Sequence, residues 1–189
     1  MRATVFCDVT DPWSYIGATR FERAAAMFTI LTGQIVDIAY RAATSTHSVD
    51  QDRAVAAARI SGIDLNFDEH VAADSTDAWR MLTWAGETDE VTQRDLLHQL
   101  WRAHFLEGAD IADGLVLSSR AALAGLPLQT AEALLASTDY VADVERQRET
   151  AVDIGATDLP FIVLDGDRTL AGLRSQDDYL QTLHQLFRS

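Results

Sequence analysis

The sequence predicts an α/β fold in which a strand–helix–strand unit and a strand–strand–helix unit are separated by a large all-helical insertion. Three observations carry this. Residues 4–9 are a β-branched and aromatic run, followed by a helical pattern and a second strand that ends by residue 43, the length of a right-handed βαβ unit. From residue 49 to about 155 the apolar pattern is helical throughout. After Gly155 the period changes back: Phe161-Ile162-Val163-Leu164 reads as a strand, Asp165-Gly166 as a hairpin turn and Arg168–Ala171 as the returning strand.

The first strand stops at Thr10-Asp11-Pro12. Asp11 suits a helix N-cap, where its carboxylate accepts orphan backbone N–H groups, and Pro12 suits the first helical position, where a missing N–H costs nothing. That helix is expected to run to about residue 31, bury Tyr15, Ile16, Phe21, Phe28 and Leu31, and stop at Gly33. Residues 34–43 form the second strand, parallel to the first. Within the insertion, helix starts are expected at Asp50, Asp74, Thr88, Asp113, Thr130 and Thr138, and stops at Gly62, Gly86, Gly108 and Gly125. A last helix over residues 175–187 has Ser175 as N-cap and Asp178 three residues on as its capping-box partner. The expected division is therefore 1–48 with 156–189 as one α/β domain, and 49–155 as the insertion.

Composition narrows the function classes. A chain of 189 residues is long enough for one domain with a substantial core. Its net charge of −14, without a visible arginine cluster, argues against a nucleic-acid partner. No apolar run approaches the roughly 18 residues of a membrane span, and the N-terminus lacks the features of a secretory signal, so no membrane partner and a cytoplasmic location are expected. All 15 Lys-plus-Arg residues are arginine, which removes lysine Schiff-base chemistry. The single cysteine, Cys7, cannot close an intrachain disulfide; in a central strand it reads as an inert core thiol, with a redox sensor as the sharper alternative. The five histidines show no metal pattern, His98 and His104 falling on different faces of one helix. Trp79, Trp84 and Trp101 read as packing residues. No nucleophile elbow, phosphate loop or dinucleotide fingerprint occurs.

Four segments carry a resemblance. Asp11-Pro12-Trp13-Ser14-Tyr15-Ile16-Gly17, opening a helix directly after the first strand, resembles the active-site segment of DsbA-like thioredoxin-fold proteins, where C-P-W-C-Y-I-G is common. Ile63-Asp64-Leu65-Asn66-Phe67, the run from Ser75 through Leu82, and Leu106-Glu107-Gly108-Ala109-Asp110-Ile111 are similar to helical-insert signatures of the cytoplasmic, FrnE-like branch. Gly155-Ala156-Thr157-Asp158-Leu159-Pro160-Phe161 is similar to the family's loop before its cis-proline strand. The resemblance spans nearly the whole chain and implies a thioredoxin-like fold, with Pro160 cis and a substrate groove lined by Pro12, Trp13, Asp158, Leu159 and Pro160.

One departure from the pattern governs the chemistry. A dithiol oxidoreductase needs a thiolate with a lowered pKa and a second thiol to resolve the mixed disulfide, and those two positions hold Asp11 and Ser14. Oxidase, reductase and isomerase activity on disulfides are therefore expected to be absent. Asp11 reads either as a cap or as an acid–base group. Ser14 reads either as a first-turn serine bonded to its own backbone or as the contact to a thiol, since related kappa-class glutathione transferases and 2-hydroxychromene-2-carboxylate isomerases use a serine near this helix start. In those families the serine occupies the first position, here Asp11. Two functions follow: a groove-binding protein that has lost catalysis and takes a small-molecule or peptide ligand, or a non-redox enzyme acting on a thiol conjugate or small aromatic through Ser14 and Asp11. Glutathione or another low-molecular-weight thiol is the only cofactor the resemblance suggests, and the oligomeric state stays open, a homodimer included.

Overall fold

The computed structural model describes residues 1–68 and 71–187. Arg2–Cys7 forms β1 and Asp37–Ala42 forms β2, joined by α1 (Pro12–Thr32) and paired in parallel from Arg2 opposite Asp37 to Cys7 opposite Ala42. Phe161–Leu164 (β3) runs antiparallel to β1 on its other side, and Arg168–Ala171 (β4) returns antiparallel to β3, so the sheet order is β2-β1-β3-β4. The β3–β4 turn needs left-handed backbone at two successive residues; Asp165 and Gly166 supply it, with φ of 47° and 92°. α8 (Gln176–Phe187) packs along α1. Its start is a reciprocal capping box: Ser175 Oγ accepts from the Asp178 N–H, and the Ser175 hydroxyl donates to Asp178 Oδ2.

The insertion between β2 and β3 consists of α2 (Gln51–Ile60), α3 (Thr76–Thr88), α4 (Glu90–Phe105), α5 (Gly114–Leu123), α6 (Leu128–Leu135) and α7 (Val141–Asp153). It is not hung on the sheet by linkers alone. The outer edge of β2 would present unpaired backbone groups, and two glutamines of the insertion satisfy them. Gln93 of α4 accepts from the Tyr40 N–H at 2.9 Å and donates to the Tyr40 carbonyl at 3.1 Å and to the Leu82 carbonyl at 3.0 Å. Gln147 of α7 accepts from the Ala42 N–H at 2.8 Å. Tyr15 of α1 stacks on Trp101 of α4 at 4.9 Å between ring centroids, and Trp79 and Trp101 are fully buried, so these tryptophans pack one core common to sheet and insertion.

Several local expectations need correcting. Gly86 does not stop a helix but lies inside α3, because Gln93 presses against it: a Cβ there would meet Gln93 Nε2 at 2.7 Å. Leu31 is exposed, since Phe28 already meets the last turn of α8 through the rings of His184 and Phe187, and the final turn of α1 projects beyond. Helix starts at Asp50 and Asp113 hold, whereas those expected at Asp74, Thr88, Thr130 and Thr138 fall at Ser75, Asp89, Pro127 and Tyr140. Asp89 displaces Thr88 as the cap because its carboxylate takes both the N–H and the hydroxyl of Thr92 at 2.7 Å. The first strand ends at Cys7 rather than residue 9.

Candidate functional site

The parallel pairing of β1 and β2 brings the loops after both strands to one edge of the sheet, and Asp8 ties them together. Its Oδ1 accepts from the N–H and hydroxyl of Thr10, and its Oδ2 accepts from the N–H of Ser45 beyond β2. Three residues on, Asp11 is the N-cap of α1: its Oδ2 accepts from the Ser14 N–H at 2.7 Å and from the Ser14 hydroxyl at 2.8 Å. Ser14 Oγ in turn accepts from the Asp8 N–H at 3.1 Å. The other oxygen of Asp11, Oδ1, is buried with no hydrogen-bond partner. Burial pushes the Asp11 carboxyl up from 3.8 to about 6; the bonds from Ser14 oppose this, and the nearby charge of Asp8 adds to it.

The β3 side of the site is held by close approach. The Leu159–Pro160 peptide bond is cis, and the Pro160 ring lies over Gly17 of α1, where a Cβ would meet Pro160 Cγ at 2.5 Å. The Gly172 N–H donates to the carbonyls of Asp158 and Pro160, fastening the start of β3 to the end of β4. Between these walls lies a cleft of about 420 Å³, lined by Asp11 and Trp13 on one side, Asp158, Leu159 and Gly172 on another, and His47, Asp50 and Arg53 of the segment after β2 and the start of α2 on the third. The Arg53 guanidinium lies 5.7 Å from the centre of the Trp13 ring.

The cleft therefore brings together Asp11, Trp13, Asp158 and Leu159. Ser14, Pro12 and Pro160 are buried behind it and do not line it; Ser14 has no exposed surface. Sequence reasoning missed Asp8, His47, Asp50 and Arg53. The available signal was topological: in a parallel pair both C-terminal loops emerge at one edge, where α/β sheets bind ligands. Cys7 is fully buried, and burial pushes its thiol well up, the reverse of a reactive cysteine. Among the described residues no group of His, Cys, Asp and Glu is arranged to hold a metal ion.

Beside this arrangement of a strand, an α1 capped at residue 11 and a Pro160 loop packed on Gly17, the model of the DSBA-like thioredoxin domain matches residues 3–184. The chain belongs to that family. Among solved structures, a probable DsbA oxidoreductase from Streptomyces coelicolor is similar at 25% identity with a TM-score of 0.86, covering 100% of this chain and 91% of that one. The cytosolic disulfide reductase DsbM from Pseudomonas aeruginosa, solved with GSH, superimposes with a TM-score of 0.74 at 21% identity and 100% coverage of both chains. A 2-hydroxychromene-2-carboxylate isomerase is similar at a TM-score of 0.72 and 16% identity, covering 100% of this chain and 95% of that one. No curated protein matches in sequence. The chain has a single cysteine and therefore no C-x-x-C pair.

Proposed function

We propose that this DsbA-family protein has given up dithiol chemistry and uses the cleft between the first turn of α1 and the Leu159–Pro160 loop to bind a small molecule or peptide. The observation that supports this most directly is Asp11. It stands where the family motif carries its first cysteine, lines the cleft, and is bonded to Ser14 in a way that leaves no group able to exchange a disulfide. The remaining wall, Trp13 and Leu159 with a few polar groups, has the mixed character of a ligand site. Two measurements test the reading. Insulin reduction and thiol oxidation should show no turnover above background. A panel of short peptides and small thiols, glutathione included, titrated against the 15N-labelled protein should shift the Trp13 indole and the Leu159 and Gly172 amides together. Turnover in the first assay, or shifts that avoid the cleft in the second, would overturn it.

One observation favours a second reading, a non-redox enzyme of isomerase or glutathione-transferase type. A carboxyl raised to about 6 exchanges its proton near neutral pH, as a general acid–base group must. In that reading Asp11 meets the substrate, and the buried Ser14 is a positioning residue that orients it. A rate that rises or falls through pH 6 and vanishes in Asp11→Asn would favour the enzyme over the binding protein.

A further inference from the structure

Two carboxylates lie close together here, Asp11 lining the cleft and Asp8 beside it, 3% and 6% exposed, and neither has an ion-pair partner among the described residues. Buried charges are ordinarily paired. Asp8 is compensated by its three donors, but Asp11 keeps one buried oxygen without any. A metal is not indicated, since no suitable cluster of ligands exists among the described residues. What the oxygen lacks is an N–H donor, preferably charged, and Asp11 is one of the residues that line the cleft.

We propose that the cleft takes an organic cation, a ligand whose ammonium or guanidinium group seats on Asp11 while its apolar part lies against Trp13 and Leu159. This rests on the groove reading above and names its ligand class. The surroundings agree. Asp50 and Asp158 add carboxylates to the rim, and the net charge of −14 draws cations toward the protein from a distance. The protein's own Arg53 already holds a guanidinium over the Trp13 face. Arg53 and His47 are the lining groups whose side chains could carry a positive charge toward an anion. Arg53 is exposed, so water already satisfies it and an anion gains little there, whereas the buried Asp11 carries an oxygen with no protein donor. An anionic ligand would meet the buried carboxylate of Asp11 and those of Asp50 and Asp158 on arrival.

The test uses three probes of one shape and different charge: benzylamine, benzyl alcohol and benzoate, titrated at pH 7.5 while the Trp13 indole and the Leu159 and Gly172 amides are followed by NMR. Benzylamine is expected to bind at least tenfold more tightly than the other two, and Asp11→Asn and Asp11→Ser, which keep a capping acceptor without the charge, are expected to erase that preference. Two variants guard against one failing to fold. If benzoate or benzyl alcohol fills the cleft as well as benzylamine does, or if the preference survives in both variants, the cation assignment falls and the groove reading stands. If none of the three moves the cleft resonances, the cation assignment falls; if the peptide and thiol panel is silent there too, the groove reading falls with it.

Discussion

The edge of β2 and the first turn of α1 both bury polar side chains, with opposite outcomes. At β2, Gln93 makes three hydrogen bonds with its amide and leaves neither Tyr40 N–H nor Tyr40 C=O unpaired. At α1, Asp11 makes two, keeps an oxygen unpaired, and sits close enough to Asp8 to feel its charge. A satisfied buried amide fixes one arrangement of the chain and has nothing to offer a ligand. A carboxyl held without a counter-charge is costly in its charged form and leaves an acceptor open to a partner. On the function proposed above, the contrast separates scaffold from site.

The largest expected effect breaks the satisfied side. Gln93 is 1% exposed, and Gln93→Ala would strand the Tyr40 N–H away from water, remove one of the two side-chain donors on the Tyr40 carbonyl and open a void beside Gly86. At about 1–3 kcal/mol for the one unpaired buried group, with a further contribution from the void, a loss of about 2–4 kcal/mol in urea unfolding is expected. A loss below 1 kcal/mol would mean that the insertion does not close the sheet edge. Gln93→Glu, which keeps the shape and one acceptor, should lose less than Ala at pH 5 and more at pH 8, where a buried charge replaces the amide.

Asp11 supplies the counterpart through pH. Its carboxyl, raised from 3.8 to about 6, binds a proton more tightly in the folded than in the unfolded chain. The stabilisation this gives is fully present below pH 3.8 and is lost as pH rises through 6, a change on the order of 3 kcal/mol. Unfolding free energies measured from pH 4 to pH 7.5 should therefore fall more steeply for the natural chain than for Asp11→Asn, which cannot titrate. The difference in slope is the quantity to compare, because the new amide changes the absolute level on its own account. Parallel curves would show that Asp11 is ordinary and would remove the contrast between the two regions.

Gly17 comes next. Its missing Cβ is what lets the Pro160 ring approach within 2.5 Å of where that atom would stand. Proline cannot yield as a flexible side chain does, so Gly17→Ala should separate α1 from the Leu159–Pro160 loop and destabilise by about 1–3 kcal/mol, despite alanine's better helix propensity. A variant at least as stable as the natural chain would show that the approach is looser than described.

Local chemistry decided how much of this could be read in advance. The N-cap at Asp11, the turn at Asp165-Gly166 and the capping box at Ser175 depend on residues within a few positions of one another, and each stands in the sequence as it stands in the fold. The groove residues Trp13, Asp158 and Leu159 came from the family pattern on either side of the insertion. Gly86 misled because its neighbour Gln93 comes from the next helix, and no local rule distinguishes a packing glycine from a stop. Asp8 and Arg53 were illegible for a similar reason: the first acts through Ser45, 37 residues away, and the second reaches Trp13 from another helix. The sequence leaves Ser14 open between a bond within its own first turn and contact with a thiol, and its hydroxyl in fact turns to the carboxylate of the capping Asp11 and is buried.

The smallest expected effect on stability is at Arg53, and it sharpens the comparison most. The side chain is exposed and, among the described residues, has no ion pair, so its contact with the Trp13 ring is worth about 0.5–1 kcal/mol at most. Arg53→Ala should therefore shift thermal unfolding by no more than a few degrees. Its effect on binding should be larger and of definite sign. Removing a positive charge that lies over Trp13 uncovers the indole face and makes the cleft more negative, so benzylamine affinity should rise severalfold while benzoate affinity should fall. In Arg53→Gln, which keeps the polar stem without the charge, the same signs should appear with a smaller amplitude, because less of the indole is uncovered. If both variants instead weaken benzylamine, Arg53 holds the wall of the cleft in place, and the electrostatic account of the site has to give way to a steric one.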